Sequence, residues 1–132
     1  MNVFADTSGL YAYVDADNVA NAAARSAWNE LRRIGASVVT TNYVVTETLA
    51  LCQRRFGLGA TRGFALGMVP LLDIVWIGKE HHDRAVAALF AANRRDLSLV
   101  DCVSFETMRR LGIRRAFALD EHFREQGFEV VP

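Results

Sequence analysis

Short apolar runs alternate along the chain with longer stretches in which apolar residues recur at the spacing of a helix. The short runs are rich in β-branched and aromatic residues and predict strands at residues 2–5, 37–40, 74–77, 115–119 and 128–131. The longer stretches predict helices at residues 7–14, 18–34, 42–56, 58–72, 80–93 and 98–111. Gly63 and Gly67 weaken the helix at 58–72, and Pro70 bends or ends it.

Strands separated by helices of this length indicate parallel crossovers, with helices on both faces of one sheet. We therefore predict a three-layer α/β/α fold around a parallel sheet of four to five strands. The 132 residues are close to the commonest size of a single domain, and no linker, repeat or low-complexity stretch interrupts them. The prediction is one domain over residues 1–132.

Composition excludes several classes of protein. Hydrophobic residues make up 52 % and charged residues 23 % of the chain, which excludes a disordered protein. No apolar run approaches the roughly 18 residues of a membrane-spanning helix, and the N-terminus lacks the basic segment of a secretory signal. Cys52 and Cys102 lie in helical apolar segments, which favours reduced core thiols. We expect a cytoplasmic protein that does not engage a membrane.

The 15 basic residues balance the 15 acidic ones, and a net charge of zero argues against a nucleic-acid partner. However, every basic residue except Lys79 is arginine, and many of the arginines form adjacent pairs. Arginine is the better bidentate ligand for phosphate. Charge runs more often belong to solvated helix faces, so both interpretations of the arginine pairs stay open.

Two aspartates follow predicted strands directly. Asp6 comes after the strand at 2–5, and Asp120 comes after the strand at 115–119. Both would therefore lie at the carboxyl edge of the sheet, where open parallel sheets bind ligands. Each could instead cap the helix that follows it. Two carboxylates at one edge repel each other unless a cation joins them, which disfavours a purely structural explanation.

Glu47 shares a predicted helix face with apolar residues. Its neighbours at helical spacing are Tyr43, Val44, Ala50 and Leu51. A carboxylate that points into an apolar layer costs several kcal/mol unless it is paired or bound to a metal. A buried ion pair with an arginine is the alternative.

Asp101 lies three residues after Ser98, in the pattern of a capping box. It would then occupy the first turn of the helix, where the helix dipole favours a negative charge. Its neighbours Val100 and Cys102 are apolar, so its surroundings are not those of a fully solvated face. Together with the three other acids, Asp101 gives a set of carboxylates without histidine or cysteine ligands. Such a set suits Mg²⁺ or Mn²⁺ and is typical of phosphoryl chemistry.

In these segments the chain resembles the PIN-domain ribonucleases, specifically the VapC-type toxins of toxin–antitoxin pairs. The resemblance covers the whole chain in order and rests on Asp6-Thr7-Ser8, Thr46-Glu47, Leu97-Ser98-Leu99-Val100-Asp101 and Ala118-Leu119-Asp120-Glu121-His122-Phe123. It implies the same sheet with helices on both faces. It also implies cleavage of single-stranded or looped RNA by water with Mg²⁺ or Mn²⁺, a small antitoxin as partner, and a homodimer.

The resemblance also implies roles for individual residues. Asp6 and Asp101 match the principal metal ligands, and Glu47 and Asp120 match the other two catalytic acids. Supporting positions are Thr7 and Ser8, the hydroxyl residues beside the first aspartate, and Ser98, which we assign mainly to capping. Arginines at the rim would hold RNA, and the candidates are Arg54, Arg55, Arg94 and Arg95. His122 lies two residues after Asp120 and could approach the site, but we expect it at the surface.

Two other functions compete with the nuclease. One is a phosphoacceptor or regulatory α/β domain, in which an aspartate at a strand end accepts phosphate. Ser8 occupies the place of a second aspartate that one such class needs, and Lys79 is the only lysine available to another. The second is a catalytically silent module that only binds an antitoxin or RNA. Because an unused acidic cluster is destabilising, the presence of all four acids disfavours it.

Overall fold

A computed structural model describes all 132 residues. Five parallel strands form one sheet in the order β3-β2-β1-β4-β5, which confirms the predicted fold class. The strands are β1 (Asn2–Ala5), β2 (Ser37–Thr41), β3 (Asp73–Val75), β4 (Arg115–Phe117) and β5 (Glu129–Val131). The first strand of the chain therefore lies at the centre of the sheet.

Seven α-helices surround this sheet. They are α1 (Thr7–Val14), α2 (Asn21–Arg33), α3 (Asn42–Phe56), α4 (Leu58–Gly63), α5 (Lys79–Ala92), α6 (Leu99–Leu111) and α7 (His122–Glu125). The predicted helix at 58–72 is broken as expected. Helix α4 is followed by a π-helical segment at Phe64–Met68 and by a 3₁₀ turn at Val69–Leu71, which contains Pro70. No helix of the structure is both long and apolar enough to cross a bilayer.

Two strands end earlier than predicted because the chain stays buried past their last residue. Beyond β3, Ile77 stays buried among residues of α5 and α6, and its amide donates to Asn42 Oδ1 at 2.6 Å instead of to a strand. Beyond β4, Ala118 is also buried, but the chain turns there toward α7. The apolar runs in the sequence therefore predict the buried segments correctly, but only part of each run forms a strand.

The direction of the connections reverses between β1 and β4. The chain runs outward from β1 through β2 to β3, and then crosses to β4 on the other side of β1. The carboxyl ends of two strands that flank such a reversal leave a crevice, which is the usual ligand site of open α/β sheets. Asp6 follows β1, and its amide donates to Phe117 O of β4 at 3.0 Å. The fold therefore delivers both strand-end aspartates, Asp6 and Asp120, to this crevice.

Gly9 lets α1 approach β4 closely. A Cβ atom at Gly9 would lie 2.4 Å from Phe117 O, well inside van der Waals contact. Phe117 is fully buried in the main core, as are Val3 and Phe4 of β1. The close approach fixes the first turn of α1, and with it Asp6, against the central strands.

Candidate metal centre

Asp6 is held as the N-cap residue of α1. Its Oδ2 accepts hydrogen bonds from the amide and the hydroxyl of Ser8, at 3.1 Å and 2.7 Å. The residue is only 4 % exposed, and burial raises the pKa of its carboxyl to about 6, although the two Ser8 bonds oppose this. Charge repulsion from Asp101 and Asp120 raises the pKa of Asp6 further, so the three carboxylates lie close enough to interact electrostatically.

Ser8 connects the first strand-end aspartate to the second. Its hydroxyl donates to Asp6 and accepts from the amides of Leu119 and Asp120, at 2.9 Å and 3.3 Å. Beside it, Thr7 is buried, and its hydroxyl lies 3.4 Å from that of Thr48 on α3. The two hydroxyl residues therefore tie α1 to the loop after β4 and to α3.

Asp101 occupies the capping box that the sequence indicates at the start of α6. Ser98 Oγ accepts from the Asp101 amide at 3.0 Å, and the Ser98 amide donates to Asp101 Oδ2 at 3.1 Å. The capping interpretation and the site interpretation hold together, because Asp101 is buried and faces the crevice acids. Burial raises the pKa of Asp101, the Ser98 amide opposes the shift, and Asp120 adds to it.

Asp120 lies in the loop between β4 and α7, where Oδ1 accepts from the amide of His122 at 2.9 Å. The His122 ring turns back over the same carboxylate, with Nδ1 2.8 Å from Asp120 Oδ1 and 3.8 Å from Asp101 Oδ2. One ligand atom from each of Asp101, Asp120 and His122 lies within 4.8 Å of the others. The expectation that His122 lies at the surface is wrong: its side chain is 19 % exposed.

A polar chain leads outward from His122. Its Nε2 donates to Asp96 Oδ2 at 3.1 Å, and Asp96 accepts two bonds from the Arg94 guanidinium, at 2.6 Å and 3.1 Å. Arg94 also donates to Glu125 of α7 at 3.0 Å. Arg94 and then His122 hold the pKa of Asp96 well below its usual range, while the bond to Asp96 raises the pKa of His122. Asp96 is therefore an ionised acceptor.

The arrangement fits a divalent cation. Three buried or half-buried carboxylates, from Asp6, Asp101 and Asp120, share one crevice, and burial and mutual repulsion raise the pKa values of Asp6 and Asp101. Oxygen ligands of this kind suit hard cations. In addition, the Nδ1 atom of His122 is buried beside two of these carboxylates without an aligned hydrogen-bond partner. A cation would relieve both the repulsion and the unsatisfied nitrogen.

Glu47 departs from its predicted environment. The buried residues of α3 are Val44, Thr48 and Cys52, whereas Glu47 is exposed, so the prediction that it points into an apolar layer is wrong. The physical reason is that α3 packs against the rest of the protein through the face that contains Val44, Thr48 and Cys52, and Glu47 lies outside this face. Glu47 lines a cleft of about 310 Å³ that also includes Val100, the neighbour of Asp101. It thus lies at the rim of the site.

The arginines differ in their relation to the crevice. Arg54 and Arg55 are exposed in the last turn of α3, and Arg54 lies seven residues beyond Glu47, about 10 Å farther along the helix axis. They therefore do not join the acid cluster. Arg94 is paired with two carboxylates and supports Asp96, whereas Arg95 is exposed beside it.

Sequence reasoning missed Asp96 and misplaced His122. Neither follows a strand directly nor breaks an apolar face, so no periodicity marks them. The only available signal was local: His122 lies two residues after Asp120, within reach of its carboxylate. The contact of Asp96 with His122 exists only when the loop before α6 is folded against α7, so the sequence alone does not identify Asp96.

Known proteins resemble this chain over its whole length. The family model described as PIN domain matches residues 3–129. The 23S rRNA-specific endonuclease VapC20 of Mycobacterium tuberculosis, in strains CDC 1551 / Oshkosh and H37Rv, is 31 % identical over 132 residues, which cover 98 % of this chain and 98 % of that protein. The crystal structure of VapC20, described as a sarcin-ricin loop cleaving toxin, has a TM-score of 0.87 at 30 % identity, covering 98 % of this chain and 99 % of that one.

Proposed function

The chain belongs to the PIN-domain family and is a VapC-type endoribonuclease, and from this premise we propose how it cleaves RNA. Asp6, Asp101 and Asp120 bind Mg²⁺ or Mn²⁺, with Glu47 at the rim joining through water or a second ion. The observation that carries this proposal is the gathering of three carboxylates at the crevice between β1 and β4, where burial and then the charges of Asp101 and Asp120 raise the pKa of Asp6. A bound cation supplies positive charge for the phosphate and acidifies water.

The residues of the chain then position the reactants and move the proton. Both Ser8 bonds go to Oδ2 of Asp6, which leaves Oδ1 free to accept a proton from the attacking water. Asp120 offers a second free oxygen, Oδ2, because its Oδ1 accepts the His122 amide. Either carboxylate can therefore serve as the general base. Ser8 and Ser98 fix the acids through their backbone and hydroxyl contacts and take no part in the proton transfer.

The two competing functions lose their support. A phosphoacceptor domain needs one accessible aspartate, but Asp6 is buried and bonded on one oxygen by Ser8. A silent binding module has no need of buried carboxylates that repel one another. The similarity to an endonuclease over 98 % of both chains agrees with a working nuclease site.

We further propose that the substrate is the sarcin–ricin loop of 23S rRNA. VapC20, whose name and description specify this RNA, matches the chain end to end with a TM-score of 0.87. An exposed loop of RNA also fits the open crevice, since its bases and backbone are accessible without melting a long duplex. Arg95, exposed near the His122 chain, is the rim arginine that remains free for phosphate.

A toxin of this type has an antitoxin partner and an RNA substrate, and we propose that it also forms a homodimer. Large apolar side chains such as Leu66 and Phe90 are 72 % and 74 % exposed, and contact with a second copy would remove such side chains from water. Sedimentation equilibrium of the purified chain tests this: a single species of 14.7 kDa would contradict the dimer.

The decisive experiment incubates the purified protein with a sarcin–ricin loop RNA in Mg²⁺, in Mn²⁺ and in a chelator. We expect one cut with a 5′-phosphate end that requires the metal and is lost in Asp101→Asn. Asp73→Asn is the matched control, because Asp73 is an exposed acid at the opposite end of the strands and should leave cleavage unchanged. Cleavage in chelator, or undiminished cleavage by Asp101→Asn, would contradict the proposed mechanism.

A further inference from the structure

We propose that His122 is itself a metal ligand through Nδ1, and that Asp96 is the outer partner that orients its ring. The inference rests on the proposed function, because it assigns a nitrogen ligand to the same site. It makes the centre a mixed site of carboxylates and one imidazole rather than a site of carboxylates alone.

The position of Nδ1 is that of a ligand. It lies 2.8 Å from Asp120 Oδ1 and 3.8 Å from Asp101 Oδ2. Neighbouring ligands around an octahedral ion with metal–ligand distances of 2.0–2.1 Å lie about 3 Å apart, and opposite ligands about 4 Å apart. The two distances from Nδ1 therefore lie within the range that ligands of one ion show.

The hydrogen bonding of the ring points the same way. The Asp96 carboxylate, held by Arg94, can only accept, so Nε2 is the ring nitrogen that donates to it, at 3.1 Å. Nδ1 is then the nitrogen that can bind a cation, and it is buried without an aligned hydrogen-bond partner. A ring nitrogen that faces a metal while the other donates to a carboxylate is the usual arrangement of metal-bound histidine.

Asp96 is built to hold this orientation. Arg94 grips it with two hydrogen bonds, at 2.6 Å and 3.1 Å, and is itself held by Glu125 of α7. The loop before α6 and the start of α7 are thereby joined across the His122 ring. Exposed ion pairs alone contribute little to stability, so the precision of this chain is explained better by orientation of the ring than by stabilisation of the fold.

The alternative is that His122 is only a protonated counter-ion of Asp120. A protonated ring would donate from Nδ1 to Asp120 Oδ1, which lies 2.8 Å away, but Nδ1 has no aligned hydrogen bond to it, and the one aligned bond of the ring is that from Nε2 to Asp96. A nitrogen ligand also has a chemical consequence. Imidazole suits transition metals, whereas Mg²⁺ prefers oxygen alone, so His122 should shift the preference of the site toward Mn²⁺.

Mn²⁺ bound to the purified protein tests the assignment directly, without RNA. Pulsed electron paramagnetic resonance detects the modulation from a nitrogen that is bonded to the ion. We expect this signal in the wild type, its loss in His122→Ala and its retention in His81→Ala. His81 is the matched control, since it is a histidine that contacts Glu106 at 3.7 Å, away from the site acids. Thermal melting of each variant confirms that it folds.

Asp96→Asn gives a second test that leaves His122 in place. We expect about 10- to 100-fold weaker Mn²⁺ binding by calorimetric titration, as for other outer partners of histidine ligands. The nitrogen signal should return at saturating Mn²⁺. Glu121→Ala, which removes an exposed acid from the loop between β4 and α7, should leave the affinity unchanged.

The outcomes separate this inference from the proposed function. Bound Mn²⁺ without a nitrogen signal in the wild type, or with an undiminished signal in His122→Ala, overturns the ligand assignment and leaves the nuclease proposal intact. A nitrogen signal in a protein that cleaves no RNA supports the ligand and overturns the proposed function. A wild type that binds no Mn²⁺ overturns both.

Discussion

Burial of the Asp6 carboxyl destabilises the metal-free fold but favours the binding of a metal ion. Its carboxyl is buried beside two other acids, which destabilises the folded chain whenever Asp6 is ionised and no cation is bound. The same burial and repulsion make the position a good ligand. The residue is thus maintained at a cost to the metal-free fold, as is common at functional sites.

The pKa of Asp6 leads to a prediction for the metal-free protein. The folded value of about 6 exceeds the ordinary value of 3.8, so the folded state holds its proton longer than the unfolded chain does. Stability should therefore fall as pH rises from about 4 to about 6, by roughly 3 kcal/mol in total. Asp6→Asn should flatten this dependence and stabilise the chelated protein by about 1–3 kcal/mol at pH 7, although it abolishes cleavage.

Urea unfolding in a chelator across this pH range measures the effect. Asp17→Asn, a substitution at an exposed acid, should keep the slope of the wild type. Identical slopes for the wild type and Asp6→Asn would show that the buried carboxyl is not the titrating group.

Ser8 is predicted to matter for both stability and metal binding. Ser8→Ala removes the hydroxyl that donates to Asp6 and accepts from the amides of Leu119 and Asp120. We expect a loss of about 1–3 kcal/mol in the free energy of unfolding, together with weaker Mn²⁺ binding. Ser26→Ala, on the exposed side of α2, should change stability by no more than about 0.5 kcal/mol. Chemical unfolding and calorimetric titration of the two variants provide the comparison.

At the residue scale, sequence predicts the site where local rules place the side chain. Asp6 follows from its strand, and Asp101 from its capping box. Glu47 was assigned to the wrong face because helical spacing offers several faces, and packing of α3 chose the one with Thr48. His122 and Asp96 depend on how one loop folds against another, which no local pattern encodes.

At the scale of the elements, the site depends on the close approach of α1 to β4 at Gly9. The helix begins at Thr7, one residue after the strand-end acid, so any displacement of α1 moves Asp6. Gly9 alone permits the approach, because any side chain there meets Phe117 O. Sequence predicts both elements correctly but not their separation, which is set by a contact between residues far apart in the chain.

Gly9→Ala is therefore predicted to disrupt the site as well as the fold. Its Cβ would lie 2.4 Å from Phe117 O, so α1 must shift, at a cost of at least about 2 kcal/mol in stability. Gly59→Ala in α4 is the matched control, since no atom lies within 4 Å of its Cβ position. This second variant should be stabilised by up to about 1 kcal/mol. Urea unfolding distinguishes them, and equal stability of both variants would contradict the close approach.

The whole molecule is neutral, but its charges are segregated. Three of the 15 acidic residues gather at the crevice, while the arginines are spread over other surfaces. The crevice is therefore negative in the metal-free protein and repels phosphate. A bound cation reverses the local sign, so neutrality of the chain is compatible with an RNA substrate.

Binding of RNA should consequently depend on the metal. With the catalytically inactive Asp120→Asn variant, we expect a fluorescent loop RNA to bind weakly in chelator and at least about 10-fold more tightly with saturating Mn²⁺. Anisotropy titration measures this, and Ca²⁺ can replace Mn²⁺ to suppress residual cleavage. An affinity that is the same with and without metal would show that the arginine surfaces, rather than the crevice, hold the RNA.

The order of the strands in the sheet determines when during synthesis the crevice that holds the acids is completed. The central strand β1 is made before its partner β4, and the strands β2 and β3 and the helices α1 to α6 are made between them. A nascent chain that ends at Leu111 contains Asp6 and Asp101 but neither β4 nor Asp120, so the crevice between the two strands does not yet exist. A nascent chain therefore gains the complete crevice, and with it the expected nuclease activity, only after β4 and Asp120 have been made.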